Sequence, residues 1–411
     1  MARHPRERHP LDRRRFLRHS LYVSLGAAAG PTLLSACGGD DSSGSSSITL
    51  PLARPDDPVT LPLFDDLPPI DDGLEPETGT LKVFNYADYL APSVIKAFGE
   101  EYGVEVEVTT FASMDEAVAK LRTGQSDFDV FLPTPDILAK IVYGKLLQPL
   151  NASYLPNLRN AWPSLQDPFF DQGGRYTVPY NVYSTGIGYR ADRVTTIPDN
   201  GYDLFWDEQY AGQTSILDDG REAIGMSLLR KGIEEVNTED PETIQAAGDA
   251  LHELVSTVKI KLDINAYTMI PEGSSTVHQA WSGDMIGAQY YLPSGESTDV
   301  LGYWYPSDEP GMVGSDTIAV VAGAEHPVLA HHFLNYLLDE QNALRNFGWV
   351  GYQPALTKFS PQYLSGEGLV PTNLETAVVT AEQYDAGHQL LQLSPEGVAV
   401  WDEVWATLKS G

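Results

Sequence analysis

The hydrophobic pattern from residue 80 to residue 143 switches repeatedly between the period of a strand and that of a helix. Apolar runs and alternations predict strands over residues 80–86, 104–111 and 128–132. Start signals predict helices that begin at Pro92, at Ser113 and near Pro135. This order of strands and helices predicts a parallel sheet with crossover helices.

The carboxyl ends of parallel strands are where such sheets bind ligands. Here those ends are residues 85–89 and 133–136, which contain Tyr86, Tyr89 and Asp136. We therefore expect part of a binding site at these two segments.

The pattern after residue 150 predicts a second group of elements. A long extended run over 176–189 predicts a strand, and Asp219 with Glu222 has the spacing of a helix-capping pair. Further strands are expected over 214–217, 285–291, 300–305 and 316–321. Further helices are expected over 241–258, 275–281, 327–340, 341–347, 374–385 and 395–408.

Residues 38–79 show no such periodicity. They are rich in Gly and Ser and then in Pro and Asp, a composition that predicts a disordered linker. The remaining chain, residues 80–411, is long enough for two domains of ~100–200 residues each.

A targeting segment is indicated before the linker. Leu34-Ser35-Ala36-Cys37 has the pattern of a bacterial lipobox, whose cysteine receives a lipid, and Arg13-Arg14-Arg15-Phe16-Leu17 resembles the twin-arginine export motif. Residues 1–36 are thus predicted as a signal peptide, and residues 37–79 as a lipidated Cys37 with its linker. The alternatives are a buried structural cysteine and a basic nucleic-acid-binding arm. We expect an exported protein, lipid-anchored in the periplasmic space or on the outer face of the cell membrane.

The net charge of −31 makes nucleic acid an unsuitable partner, because binding to phosphates requires clustered Lys and Arg. A negative surface attracts cationic ligands. Solubility or adaptation to salt explains the total charge equally well.

The motifs along residues 80–411 resemble those of the extracellular solute-binding proteins of ABC importers, in the spermidine/putrescine branch. The motifs that carry the resemblance are Phe84–Tyr89, Phe128–Thr134, Val178–Tyr180 with Gly186–Gly188, Asp218–Glu222, Ala280–Gly283, Gly314–Thr317 and Gly351–Pro354.

The resemblance implies an α/β, two-lobed periplasmic-binding-protein-like fold of type II. Each lobe is expected to be a mixed, mostly parallel sheet flanked by helices, with a hinge of crossing strands near 176–189, Asp316 and 351–354. Lobe 1 is expected over 80–183 and 314–354, and lobe 2 over 184–313 and 355–411. The resemblance also implies a monomer without cofactor or enzymatic activity, whose partners are ABC permease subunits.

A polyamine requires carboxylates spaced along a slot, with aromatic faces between them. By resemblance, Asp219, Glu222 and Asp316 bind its ammonium groups. The aromatic walls and remaining contacts are expected from Tyr86, Tyr89, Trp281, Tyr352, Thr134, Ala87 and Asp136. Two positions depart from the family pattern, because Gly314 stands where an aromatic residue is common and Asp136 stands where tyrosine is common. These departures point to a bulkier or more cationic amine.

Structural alternatives exist for these residues. The spacing alone favours a capping box for Asp219 and Glu222, core packing for Trp281 and a turn for Asp316. The rival functions are binding of an amino acid, a sugar or iron, an exported enzyme, and a structural or signalling lipoprotein that has kept the fold. Gly186–Ala191 matches a dinucleotide-binding pattern, but no phosphate-binding helix is evident after it. No metal site is expected, since the adjacent Tyr290 and Tyr291 would point to opposite faces of a strand.

Overall fold

The computed structural model describes residues 50–124 and 127–410. Within them, eleven strands join in one sheet. The strands are β1 (Thr80–Tyr86), β2 (Glu105–Phe111), β3 (Val130–Phe131), β4 (Leu147–Gln148), β5 (Thr177–Arg190), β6 (Thr214–Ile216), β7 (Lys261–Leu262), β8 (Val277–Trp281), β9 (Leu301–Trp304), β10 (Met312–Val321) and β11 (His388–Gln389).

Thirteen α-helices cover the sheet within the same residues. They are α1 (Pro92–Tyr102), α2 (Met114–Arg122), α3 (Leu138–Tyr143), α4 (Pro163–Gln166), α5 (Gly220–Arg230), α6 (Pro241–Thr257), α7 (Ala266–Glu272), α8 (Ser282–Ala288), α9 (Pro327–Leu337), α10 (Glu340–Val350), α11 (Pro361–Gly366), α12 (Ala381–Ala386) and α13 (Pro395–Ser410). Short 3₁₀ helices occupy Pro135–Ile137, Ala152–Tyr154, Pro156–Asn160, Gly201–Trp206, Glu208–Tyr210, Thr298–Val300 and Thr372–Ala377.

The first part of the sheet has the parallel order that the sequence predicts. β1 lies between β2 and β3 and is parallel to both, and β10 then pairs with β3 in the antiparallel sense. Phe84 of β1 stacks on Phe128 at 4.3 Å and meets Phe111 edge-on at 4.8 Å. These aromatic contacts form a core between the sheet and α2 and α3.

β5 and β10 connect the two parts of the sheet. Residues 177–185 of β5 pair with β10, while residues 185–190 pair with β8 and β9. Beyond β8, the parallel strands β6 and β7 complete the second part. β5 thus belongs to both parts, and side chains near residue 185, where its partners change, lie where the two parts meet.

Two predictions of secondary structure are wrong. Residues 275–281, predicted as a helix, form strand β8, and residues 285–291, predicted as a strand, begin within helix α8. Val277–Ala280 of β8 are all buried, so both faces of the strand are covered and no alternation marks it. Met285 and Ile286 are buried as well, and a short apolar run in the sequence is compatible with either a strand or a buried helix.

The predicted helix over 374–385 is divided. The 3₁₀ helix Thr372–Ala377 ends before Val378, and α12 begins after Thr380. Thr380 and Gln383 form a complete capping box, which starts a new helix at this point.

Residues 50–79, which we call the strap, lie against the folded body. Leu61 is fully buried, and Arg175 Nη1 donates a hydrogen bond to its carbonyl oxygen at 2.6 Å. The Tyr176 hydroxyl donates to the Pro62 carbonyl oxygen at 2.5 Å. The predicted disorder of the linker is therefore wrong for residues 50–79.

The strap also reaches the start of a helix. The Glu77 carboxylate accepts hydrogen bonds from the backbone N–H groups of Val328 and Leu329 at 3.2 and 2.8 Å, so it satisfies two free donors at the N-terminus of α9. Single contacts of this kind do not require apolar residues at regular spacing, so the composition of the strap did not reveal them.

No helix in residues 50–124 and 127–410 has the length and apolar character to cross a bilayer. The predicted signal peptide, the twin-arginine motif and Cys37 lie outside the described residues.

Candidate functional site

Asp316 lies at an irregularity in the pairing of β5 and β10. It pairs with Asn181, and the register shifts immediately after it, a feature that redirects side chains. The Tyr89 hydroxyl donates a hydrogen bond to Asp316 Oδ2, and Asn181 Nδ2 donates to the same hydroxyl at 2.6 Å. Asp316 is only 7% exposed, and neutral groups hold it.

The loop after β1 brings two tyrosines to this position. The Tyr180 hydroxyl donates to the Tyr89 carbonyl oxygen, and Asn346 Nδ2 donates to the Tyr180 hydroxyl at 2.8 Å. Asp88 has a φ of 55°, a left-handed conformation that turns the backbone between Tyr86 and Tyr89. The rings of Tyr86 and Tyr89 consequently meet edge-on, with centroids 5.8 Å apart.

Asp219 and Glu222 follow β6 and begin α5. Asp219 Oδ1 accepts hydrogen bonds from the backbone N–H groups of Arg221 and Glu222 at 2.9 and 3.1 Å, so Asp219 is the N-cap of the helix. Glu222 turns instead to Trp281, whose Nε1 donates to Glu222 Oε1 at 2.8 Å. The capping interpretation is thus correct for Asp219, whereas the Glu222 carboxylate is directed to the end of β8.

Tyr352 enters the site directly after α10. Gly351 ends that helix with a φ of 86°. The Tyr352 ring lies 5.1 Å from the Tyr89 ring, and its hydroxyl donates to Asp284 Oδ1 on α8 at 2.9 Å. A Cβ atom on Gly283 would lie 2.5 Å from the Tyr352 ring, so the glycine allows the ring to pack on the first turn of α8.

Four carboxylates of the site form no ion pair, although the charge of Arg221 acts on two of them, Asp136 and Glu222. None of the ion pairs among the described residues includes Asp136, Glu222, Asp284 or Asp316. Glu222 is 5% exposed, and its Oε2 atom is buried without a hydrogen bond. The site therefore has more buried negative charge than its own side chains neutralise.

Burial shifts the protonation of these groups. Burial, and then the charge of Asp219, raises the pKa of Glu222 to about 7 against the opposing hydrogen bond from Trp281. Burial raises the pKa of Asp316 to about 6, although the hydrogen bond from Tyr89 opposes it. Burial likewise raises the pKa of Asp136 and brings the pKa of Asp284 to about 7. Carboxyl groups with raised pKa values in one region are typical of a functional site.

A model of the bacterial extracellular solute-binding protein family matches residues 93–367. The chain belongs to this family. The match includes every acidic residue of the predicted site.

Individual relatives cover most of the chain. The spermidine/putrescine-binding periplasmic protein of Escherichia coli is 27% identical over 340 residues, which are 82% of this chain and 93% of that protein. The putrescine/agmatine-binding protein of Pseudomonas aeruginosa is 28% identical over 285 residues, which are 66% of this chain and 77% of that protein.

A solved structure identifies the fold. The spermidine/putrescine ABC transporter substrate-binding protein of Streptococcus pneumoniae has a TM-score of 0.65 at 21% identity, over 81% of this chain and 99% of that one. This solute-binding protein therefore has the two-lobed fold of the periplasmic binding proteins, a mixed α/β sheet flanked by helices.

The structure brings together most of the predicted contacts of the solute-binding protein. Thr134 begins the 3₁₀ helix that carries Asp136, and a hydrogen bond from the Thr134 side chain opposes the raised pKa of Asp136. The charges of Asp136 and Asp219 lie close enough for Asp219 to raise the pKa of Asp136 further. Ala87 is exposed in the loop after β1.

Two residues of the site were missed by the sequence reasoning. Asp284 accepts a hydrogen bond from the Tyr352 hydroxyl. Tyr183 of β5 pairs with Gly314 of β10, and its ring lies 6.2 Å from that of Tyr352. The missing aromatic at position 314 was the signal that could have led to Tyr183, since a space left by one strand is filled from its neighbour.

Among residues 50–124 and 127–410, no group of three or more His, Cys, Asp and Glu side chains is arranged to hold a metal ion.

Proposed function

We propose that this solute-binding protein captures a polyamine such as spermidine or putrescine and delivers it to the permease of an ABC transporter. The observation that carries the proposal is the buried, unpaired negative charge of Glu222 and Asp316. Removing a carboxylate from water costs several kcal/mol unless a cation compensates. An ammonium group of the ligand would supply that cation for each carboxylate.

The aromatic residues suit the rest of such a ligand. Tyr86, Tyr89 and Tyr352 present rings around Asp316, and Trp281 does so beside Glu222. Methylene groups gain from contact with these faces, and an ammonium over a ring gains ~0.5–2 kcal/mol. Asp136 adds a further acid, which favours an amine with more than two charges.

The named relatives support the same class of ligand. The proteins from E. coli and P. aeruginosa are described as binding spermidine and putrescine, and putrescine and agmatine, respectively. These are aliphatic cations in which nitrogen groups are separated by methylene chains, so each requires spaced carboxylates and apolar walls.

The proposal includes reversible capture between two lobes, without a chemical step. We assign residues 80–183 and 314–354 to one lobe and residues 184–313 and 355–411 to the other. β5 pairs with strands of both parts of the sheet, and β10 is its partner over residues 177–185, so these two strands are suited to act as the hinge between the lobes.

The proposal also includes export and a lipid anchor. The lipobox before Cys37 and the twin-arginine pattern at Arg13–Leu17 support both, and the protein would act as a monomer at the outer face of a membrane. Cell fractionation of wild type and Cys37→Ser tests the anchor. Wild-type protein that is fully soluble and carries no lipid mass would contradict it.

Ligand binding is tested by thermal unfolding with putrescine, spermidine and spermine, followed by calorimetric titration. A ligand present at 100 times its Kd should stabilise the fold by ~2.7 kcal/mol. If none of the three amines changes the melting temperature, the polyamine assignment is wrong. A shift with an amino acid, a sugar or iron would then identify a different solute for the same fold.

A further inference from the structure

Tyr183 of β5 occupies the space above Gly314 of β10. The two residues are direct partners in the antiparallel pairing of these strands. A Cβ atom on Gly314 would lie 2.4 Å from Tyr183 Cζ and 2.5 Å from its hydroxyl oxygen. Non-bonded carbon atoms pack at about 3.5–4.0 Å. Position 314 therefore accepts no side chain while Tyr183 has this conformation.

Tyr183 lies on the same face of the sheet as Asp316. Directly paired residues of antiparallel strands share a face, and residues two apart along a strand also share one. Gly314 pairs with Tyr183 and lies two residues before Asp316. The Tyr183 ring also meets the Tyr352 ring edge-on, with centroids 6.2 Å apart and an interplanar angle of 80°. Tyr183 is thus inside the aromatic lining of the site.

The charges of three carboxylates act on Tyr183. Burial is the largest cause that raises the pKa of its hydroxyl, and the charges of Asp316, Glu222 and Asp136 raise it further. These acids come from three separate segments, namely β10, α5 and the 3₁₀ helix after β3. An aromatic ring among them is in a position to contact the methylene chain of a cation whose ammonium groups reach the acids.

We propose that Tyr183 contacts the ligand and determines specificity, by supplying from β5 the aromatic face that Gly314 does not supply from β10. This inference rests on the proposed function, because it assigns Tyr183 a role toward an aliphatic polycation. Moving the ring from one strand to its neighbour changes the shape of the slot. The wild-type protein and a variant that carries its aromatic ring on β10 instead of β5 should therefore prefer amines of different length.

The structure provides a matched control on the same strand. Tyr189 also covers a glycine, since a Cβ atom on its partner Gly302 would lie 2.3 Å from Tyr189 Cζ. Tyr189 packs in the core around β6 and α6, and burial alone raises the pKa of its hydroxyl, with no contribution from an acid of the site. An aromatic ring over a glycine can serve sheet stability alone, and Tyr189→Leu measures that effect.

The experiment is calorimetric titration of putrescine, spermidine and spermine into wild type, Tyr183→Leu, Tyr183→Phe and Tyr189→Leu. Loss of the ring in Tyr183→Leu should weaken binding by about tenfold, the size of a cation–π contact. Tyr183→Phe keeps the ring and should remain within about threefold of wild type. Tyr189→Leu should bind as wild type does, even if it unfolds at a lower temperature.

An exchange of the two side chains tests the coupling. Gly314→Trp alone should reduce binding by at least about a hundredfold or prevent folding, because the new ring and Tyr183 compete for one volume. Tyr183→Gly combined with Gly314→Trp should recover folding and binding, with a changed ratio of putrescine to spermidine affinity.

Two results would overturn the inference. If wild type binds an amine and Tyr183→Leu binds it within about twofold of wild type, Tyr183 only packs on Gly314 as Tyr189 does on Gly302. If the double exchange is no better folded than Gly314→Trp alone, the two positions are not coupled. Wild type that binds none of the three amines would instead refute the proposed function, and with it a role for Tyr183 toward polyamines.

Discussion

Replacing Glu222 with glutamine should stabilise the free protein and weaken ligand binding. Burial, and then the charge of Asp219, raises the pKa of Glu222 from its usual 4.5 to about 7. Folding at pH 8 thus requires a charged carboxylate where the charge is disfavoured. Since a tenfold change in proton affinity corresponds to about 1.4 kcal/mol, the penalty at pH 8 is about 3 kcal/mol. Glutamine has no charge and keeps an oxygen for the hydrogen bond from Trp281 Nε1.

The gain in stability should depend on pH. A carboxyl group whose pKa is higher in the folded state contributes stability that is complete below its unfolded pKa, near 4.5, and lost as the pH rises through about 7. Glu222→Gln should therefore exceed the wild type by about 3 kcal/mol at pH 8 and by less than about 1 kcal/mol at pH 5. Urea unfolding without ligand at the two pH values measures the difference.

Binding should change in the opposite direction. Loss of one member of a buried charge pair costs about 3–5 kcal/mol, or about 1.5–3 kcal/mol where water takes its place. Calorimetric titration of spermidine at pH 8 measures this loss. Glu403→Gln is the control, because Glu403 is exposed on α13 and should alter neither quantity. A Glu222→Gln variant with slightly lower stability and unchanged affinity would refute the reasoning and assign Glu222 to the helix cap.

Three further predictions concern the acids and the strap. Asp316→Asn should weaken the binding free energy for a polyamine by about 3 kcal/mol, as measured by calorimetry. Asp56→Asn should change it almost not at all, because Asp56 is an exposed residue of the strap. Unchanged affinity in Asp316→Asn would place the ligand elsewhere. The pKa values of Asp316 and Glu222 in the free protein are about 6 and 7, so polyamine affinity should rise from pH 5 to pH 8 and binding should release protons. Calorimetric titrations at several pH values, in buffers of different ionisation enthalpy, measure both effects. An affinity that does not depend on pH would contradict this prediction. Leu61→Ala should lower the free energy of unfolding by about 2–5 kcal/mol because Leu61 is fully buried, whereas Leu63→Ala should cost little because Leu63 is 49% exposed. Urea unfolding measures both, and equal effects would show that the strap is not part of the fold.

The parallel part of the sheet was predictable because its signals are local. Each of its strands and helices has its own period or cap, as Ser113 shows by accepting a hydrogen bond from the Glu116 backbone N–H group. Residues 275–291, where both wrong predictions fall, lack such signals. His278 and Gln279 are polar yet fully buried in β8, and Gln279 Nε2 is satisfied by the Glu222 carbonyl oxygen at 2.8 Å. A partner 57 residues away in the chain, which the sequence pattern does not reveal, makes that strand possible.

The residues of the site also differ in whether local sequence or a distant partner determines their position. Asp219 could be placed at a helix start from its spacing, but the direction of the Glu222 side chain depends on Trp281, which reaches it from the end of β8. Tyr183 was missed because its position is decided by the absence of a side chain at Gly314. Strap residues such as Leu61 were missed because one buried leucine between prolines produces no hydrophobic periodicity.

The net charge of the chain and the charge of its site have different consequences. Most acidic side chains in residues 50–124 and 127–410 are exposed or half-exposed, and an exposed pair is worth only ~0–1 kcal/mol. Asp56 and Asp65, for example, are exposed on the strap. Glu222 and Asp316 are nearly inaccessible to water, so the same charge there imposes a cost that a bound cation removes. The buried acids thus select for a cation, whereas the surface total only raises the local concentration of cations of every kind.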